Sequence, residues 1–494
     1  MSRAIAPRAL VGPLLALALF FTATHRASAM IYKPEKVIDM WDSWVVFHEG
    51  KFYLYYLESN HAILHGVSLA TSDDGVHYTE VGTVVPKSPE AVWLGSGSVW
   101  KKPGSEPAEW VMNFSESKDG LQRIYFATST DLRNWNRLSH DFRFQQDERW
   151  YHPDGRWDCI CALPRKEGGL YGYWTATPRG AVGFGFGQSL DGIKWEALKP
   201  PTIDWTGRPV MKKSEVSMEA GAVEHIRDKY YMMSGTPRYE GRSGMVTMVA
   251  DKPSGPFRPA AKNLHLLTAA GHEPLKGSPF EKMCPNYFTR FVRTPDALLV
   301  NHHAIGRKGT HGGSYFAPLK KATVDDEGTL RLTYWPGNEK LKGEVISTQL
   351  ENSTSSGPAS VRKVSRKFDV GPGVVLEGEM TLPSKGGEEE PGLFIAWAEQ
   401  EGVAIRVGKK GVTRCGTRRT DTGAFQQEEE YDREFEFGKV ARFKLLLRHS
   451  LLEFYLDDIL IQGYSLPKGD KASGVVGVMG AVQKLQAWQM TLAG

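Results

Sequence analysis

Three acidic residues stand at matching places ahead of aromatic, strand-like segments. Asp42 lies 11 residues before Tyr53, Asp158 lies 13 before Tyr171, and Glu219 lies 11 before Tyr230. The same count back from "EWVMNFSE" and "DALLVNHH" reaches Ser98 and Asn286. If such strands repeat about a common axis, the equivalent positions meet at one end of a channel. Three carboxyl groups around one cavity can cleave a glycosidic bond. One attacks the sugar carbon or activates water, one protonates the leaving oxygen, and one holds the substrate. A single acid here reads better as a turn cap or an arginine partner; three in register favour chemistry. Glu219 sits in "SMEAGAV", and apolar neighbours of this kind raise a carboxyl pKa and suit the proton donor.

The elements that would position these acids repeat. "SDDGVHY", "STDLRNW" and "SLDGIKW" all read Ser-x-Asp-x-x-x-aromatic, ending at Tyr78, Trp135 and Trp195. "ADKPSGPF" is a weaker copy ending at Phe257, and "KKATVDDEGTLRL" a degenerate fifth. Each follows a short aromatic or β-branched segment bounded by Gly, Pro, Asp or charge, and no stretch after residue 30 has capped helical periodicity. Strands in units of about sixty residues, each with a turn signal, predict propeller blades. The expected fold is therefore all-β: a five-bladed β-propeller over residues 30–340, a polar linker over 341–364, and a C-terminal β-sandwich over 365–494, where strand runs lose the long period.

Other residues near the acids are candidates for substrate contact. Trp41, Trp44, Trp93 and Trp157 could stack on sugar rings or fill the space between blades. Ser98, Arg156 and Asn286 fall at or beside the converging positions. "NHHAIGRKGTHGG", with His302 and His303, reads as a polar binding loop in preference to a metal site. No two-plus-two ligand spacing suggests zinc, and no cofactor is expected.

The totals narrow the class. The chain has 494 residues, 41% hydrophobic and 24% charged, with a formal net charge of +4. Lys and Arg are scattered, so no nucleic-acid footprint stands out. Arg3 and Arg8, the apolar "LVGPLLALALFF" and the small "ASA" before Met30 read as a signal peptide over residues 1–29. This predicts a secreted or periplasmic protein with no membrane anchor after cleavage. Four cysteines, Cys159, Cys161, Cys284 and Cys415, name no disulfide pair. Nothing in the sequence sets an oligomeric state.

The motifs resemble those of glycoside hydrolase family 32, the invertases, inulinases and levanases, with family 43 as kin. "DMWDSWVVFHEGKFYLYYL" stands where that family has a Trp-Met-Asn-Asp-Pro-Asn segment, and the resemblance implies that Asp42 is the nucleophile. "GRWDCI" stands for Arg-Asp-Pro, implying that Asp158, with Arg156 beside it, stabilises the transition state. "MEAGAV" stands for Glu-Cys-Pro, implying that Glu219 is the acid/base. The Asn-Asp-Pro-Asn wording is absent, and Trp157 separates Arg156 from Asp158. The reading that follows is a secreted glycoside hydrolase acting on an oligo- or polysaccharide, with retention implied by the family. The alternatives are a carbohydrate-binding propeller without catalysis and a phosphorylase using Arg307, Lys308 and the nearby histidines to hold phosphate.

Overall fold

The computed structural model describes residues 30–35, 39–60, 63–210, 218–239, 242–268, 286–306, 313–351, 360–384, 390–408, 412–432, 436, 438–466 and 473–491. The expected leader, Cys284, Arg307 and Lys308 lie outside the described residues. Five antiparallel sheets form the blades. Their inner strands are Asp39–His48, Trp93–Lys101, Trp157–Pro164, Glu219–Ile226 and Asn286–Arg293. Their second strands are Lys51–Asn60, Trp110–Lys118, Leu170–Ala176, Lys229–Tyr239 and Leu298–Gly306. The second strands are buried on both faces, as Phe52, Leu54, Tyr55, Tyr56 and Leu57 show in blade 1. Such strands read as continuous apolar runs because neighbouring blades cover both sides.

The repeated turn has a local cause. Ser72 Oγ accepts the Gly75 N–H at 2.8 Å, and Asp74 Oδ1 accepts the N–H groups of Val76 and His77, each at 2.8 Å. Ser129 with Asp131, and Ser189 with Asp191, close their turns in the same way. Partial burial acts to raise the Asp74 carboxyl, but these donors outweigh it and bring the group down to about 2.

The turns are also the joints of the ring. An aromatic donor of each of blades 1 to 4 reaches a carbonyl in the next blade's turn. Tyr55 donates to Leu132 O (2.6 Å), Trp100 to Gly192 O (3.2 Å), Tyr173 to Pro253 O (2.8 Å) and Tyr231 to Gly328 O (3.0 Å). The fifth joint closes on blade 1 by contact: a Cβ at Gly75 would lie 2.8 Å from the Trp335 ring. Tyr32, bridged to Phe316 of blade 5, reinforces the closure.

The C-terminal sandwich has two sheets over a core that includes Val374, Leu376, Leu393, Ile405, Leu445 and Phe454. Its boundary differs from the expectation. Within the range expected to be a linker, Lys342–Ile346 and Val361–Lys363 are edge strands, one in each sandwich sheet. One sandwich sheet also continues blade 5, pairing Ile459 with Thr333. The interface is buried and partly ionic. The fully buried Lys320 donates to Glu453 and to Pro318 O, and Tyr455 donates to Glu453 at 2.6 Å.

Candidate active site

Each inner strand carries a β-bulge where it meets its second strand: between Trp41 and Trp44, Gly95 and Ser98, Asp158 and Cys161, Ala220 and Ala222, and Tyr287 and Arg290. A bulge leaves residues unpaired and re-aims side chains. Asp42 is such a residue, with φ of 40°. Aspartate tolerates this left-handed region better than most residues. The acids do not, however, occupy equivalent places. Asp42 lies inside its bulge, Asp158 flanks one, and Glu219 stands one residue before Ala220, which flanks another. They come together at the starts of the inner strands although their places relative to the bulges differ.

One arginine joins two of them. An Arg156 terminal nitrogen lies 3.2 Å from Asp158 Oδ2 and 3.2 Å from Glu219 Oε1. In an extended strand residues i and i+2 share a side, so Arg156 and Asp158 face the site together. Trp157 points away into an aromatic core with Phe144, Tyr151 and Trp174. Arg156 keeps 43% of its side-chain surface open, against 18% for Glu219 and 2% for Asp158. The acids therefore sit at increasing depth below an arginine at the rim.

The remaining carboxylate oxygens have dedicated partners. Ser115 Oγ donates to Asp158 Oδ1 at 2.6 Å and accepts from Gln122 at 3.0 Å. Tyr287 donates to Glu219 Oε2 at 2.5 Å. Two glycines leave room for these bonds. A Cβ at Gly95 would lie 2.6 Å from Asp158 Oδ1 and 2.6 Å from the Trp93 ring; one at Gly235 would lie 2.2 Å from the Tyr287 hydroxyl. Trp93, half-exposed, thus stands beside Asp158. Among the described residues the buried Asp42 Oδ1 has no hydrogen-bond partner.

The electrostatics follow. Burial pushes the Asp42 carboxyl well above its usual range, Glu219 and Asp158 push it further, and Arg290 and Arg156 oppose them. Burial also raises Asp158, against Arg156 and the Ser115 hydroxyl. Burial lifts the Cys159 thiol to about 12, so it is inert. The expected apolar setting of Glu219 is not what its carboxylate meets: Met218 and Ala220 point into the blade core, while the carboxylate faces Arg156 and Tyr287.

Several expected contact residues have other work. Trp44 is 1% exposed and stacked on Tyr55 in the core of blades 1 and 2, because the bulge shifts its phase inward. Ser98 Oγ donates to Ile160 O and ties blade 2 to blade 3. Asn286 donates to Gly463 O of the sandwich at 3.2 Å. His302 and His303 lie within a strand, not a loop. His302 is buried, with Nε2 3.9 Å from the sandwich residue Glu453. His303 is fully buried under Trp41, ring centroids 4.3 Å apart, and burial holds it down to about 3, hence neutral. It supports Trp41, which is itself 9% exposed next to Asp42. Sequence reasoning missed Ser115, Gln122, Tyr287 and Arg290. Only Tyr287, one residue after Asn286, lay within reach of the counting. Among the described residues no group of three or more His, Cys, Asp or Glu has the arrangement of a metal site.

Fold and geometry together define a class: a five-bladed propeller fused to a β-sandwich, with acids gathered where the inner strands begin. No family model matches the sequence, and no curated protein matches it. Solved structures do. The chain is similar to a GH32 beta-fructofuranosidase from Bombyx mori, with TM-score 0.65 and 13% identity over 94% of each chain. It is similar to fructan 1-exohydrolase IIa from Cichorium intybus, with TM-score 0.65 and 14% identity over 94% of this chain and 97% of that one. It is similar to sucrose-6-phosphate hydrolase from Lactobacillus gasseri, with TM-score 0.67 and 10% identity over 95% of this chain and 94% of that one. This likeness is one of fold, and it extends over propeller and sandwich alike.

Proposed function

We propose that the protein is a glycoside hydrolase in which Asp42 attacks the anomeric carbon, Glu219 protonates the leaving oxygen and then activates water, and Asp158 binds sugar hydroxyls and steadies the developing charge. The observation that carries this reading is the gathering of Asp42, Asp158 and Glu219 around Arg156 and Tyr287. A charge count calls for one proton in the site. Three ionised acids against Arg156 and Arg290 leave one net negative charge, so the site is neutral when one carboxyl holds a proton. A retaining hydrolase needs one ionised carboxylate and one protonated acid at the start of its cycle. The half-exposed Trp93 ring beside Asp158 is a stacking surface for the sugar.

Two similar structures hold sucrose and 1-kestose, which makes fructosides the first substrates to try. Export of the mature chain belongs to the same reading and rests on the pattern of residues 1–29. The purified protein, residues 30–494, is incubated with an oligosaccharide panel including sucrose and 1-kestose, with and without phosphate, and the products are chromatographed. Release of free sugar that is lost in Asp42→Asn and Glu219→Gln supports hydrolysis. Sugar phosphate formed only with phosphate would establish a phosphorylase, and binding without turnover a lectin-like propeller.

A further inference from the structure

Arg290 is an unusual residue for the middle of a propeller. It is 3% exposed, and all its hydrogen bonds go to backbone carbonyls. One terminal nitrogen reaches Ala220 O and Thr289 O, each at 3.3 Å, and the other reaches Gly97 O at 3.4 Å. The guanidinium stacks on the Phe288 ring, 4.0 Å from its centroid. Among the described residues it forms no ion pair. A buried cation without a counter-ion is costly, and its field acts on whatever charge lies nearest.

Its bonding fixes where it lies. Arg290 starts on blade 5, Ala220 is on the neighbouring blade 4, and Gly97 is on blade 2, across the ring. Only a group on the axis touches all three. The three carbonyls belong to the bulges of blades 2, 4 and 5. Arg290 stands three residues further along its strand than Tyr287, which contacts Glu219 at the mouth. The guanidinium is therefore the floor of the recess whose walls carry the acids.

We propose that Arg290 is a positioning residue of this site, plugging the bore, locking three bulges in place and drawing the Asp42 carboxylate toward it from below. The titratable groups that feel Arg290 are Asp42 from blade 1 and Cys159 and Cys161 from blade 3. Glu219, Asp158 and Arg156 also act on Asp42. The kinetic consequence rests on the reading of Asp42 as the attacking group; the structural consequence does not.

The test is a double-mutant cycle on unfolding, which needs no substrate. Arg290→Met and Arg290→Gln are each made in the native chain and in Asp42→Asn, and the unfolding equilibrium constant is measured by denaturant titration from pH 4 to pH 8. At pH 8 the arginine replacement should raise that constant at least tenfold more in the native chain than in Asp42→Asn. The difference should shrink toward pH 4 as Asp42 takes its proton. Folding of Arg290→Met only when Asp42→Asn is also present would support the proposal equally. Equal effects in both backgrounds at every pH, or failure of both replacements to fold in either background, would assign Arg290 to the scaffold alone and overturn it. If the cycle shows coupling but no sugar is turned over, the proposed function fails and the positioning role stands.

Discussion

Asp42 is held in a conflict that a purely structural residue would not keep. Its carboxyl is buried, one oxygen has no partner among the described residues, and two other acids face it. Asp42→Asn removes the charge at nearly constant shape. It should abolish turnover and raise the melting midpoint by about 2 °C or more, as expected for ~1 kcal/mol of relieved charge burial. A lower midpoint in calorimetry would show that Asp42 stabilises the fold. The pH dependence has a definite sign. Asp42 and Asp158 have raised carboxyls, so their contribution is full below the unfolded value of about 4 and is lost as pH rises through the folded values. His303 acts oppositely: held neutral, it costs stability below about 6.5, where the unfolded chain takes up the proton. Asp42→Asn should therefore flatten the decline of the melting midpoint above about pH 4 and leave its course below that pH unchanged. Tyr287 offers a separate handle. Tyr287→Phe keeps the ring and removes the donor to Glu219. Loss of one hydrogen bond to a charged group, ~1.5 kcal/mol, should lower kcat/KM about tenfold without unfolding the protein. An unchanged kcat/KM with a folded variant would exclude Tyr287 from the proton transfer.

The strands and turns divide into what could be read in advance and what could not. The repeated Ser-x-Asp turn was legible because its hydrogen bonds close within five residues. The acids Asp42, Asp158 and Glu219 stood out in the sequence by their matching places ahead of aromatic strands. The bulges were not, since they arise from the meeting of two strands distant in sequence. That is why counting residues assigned Ser98 and Asn286 to the site, and nearness to Asp42 offered Trp44 to substrate, while Ser115 on a second strand was passed over. Tertiary contact decided which side each residue faced. The joints between blades give the element-scale test. Tyr55→Phe removes only the hydroxyl that reaches Leu132 O and should cost ~1 kcal/mol in denaturant unfolding. No change would mean that aromatic packing alone holds blades 1 and 2 together.

At the scale of the molecule, propeller and sandwich share a sheet and a buried polar contact. Leu446, Leu451, Tyr455 and Leu460 of the sandwich join Val300, Ala304 and Tyr334 of blade 5 in one apolar cluster. Asn286 and His302 face the sandwich while their neighbours Tyr287 and His303 face the site. A chain ending at residue 340 would expose that cluster and orphan Lys320. It should therefore aggregate or stay unfolded when refolded and examined by size-exclusion chromatography. The full chain should melt in one calorimetric transition. Two well-separated transitions would show that the lobes are independent.

The joints between blades accept their hydrogen bonds on backbone carbonyls of glycine, leucine and proline in this one chain. A contact written in the main chain places almost no demand on the side chain beside it. Heredity can then replace the accepting residue within the limits of its left-handed backbone, with φ of 61°, 75° and 80° at Leu132, Gly192 and Gly328, provided the aromatic donor on the preceding blade endures. A propeller assembled this way keeps its symmetry while its spelling drifts. Kinship among such rings is better sought in the spacing of tyrosine and tryptophan donors than in the letters of the turns they hold.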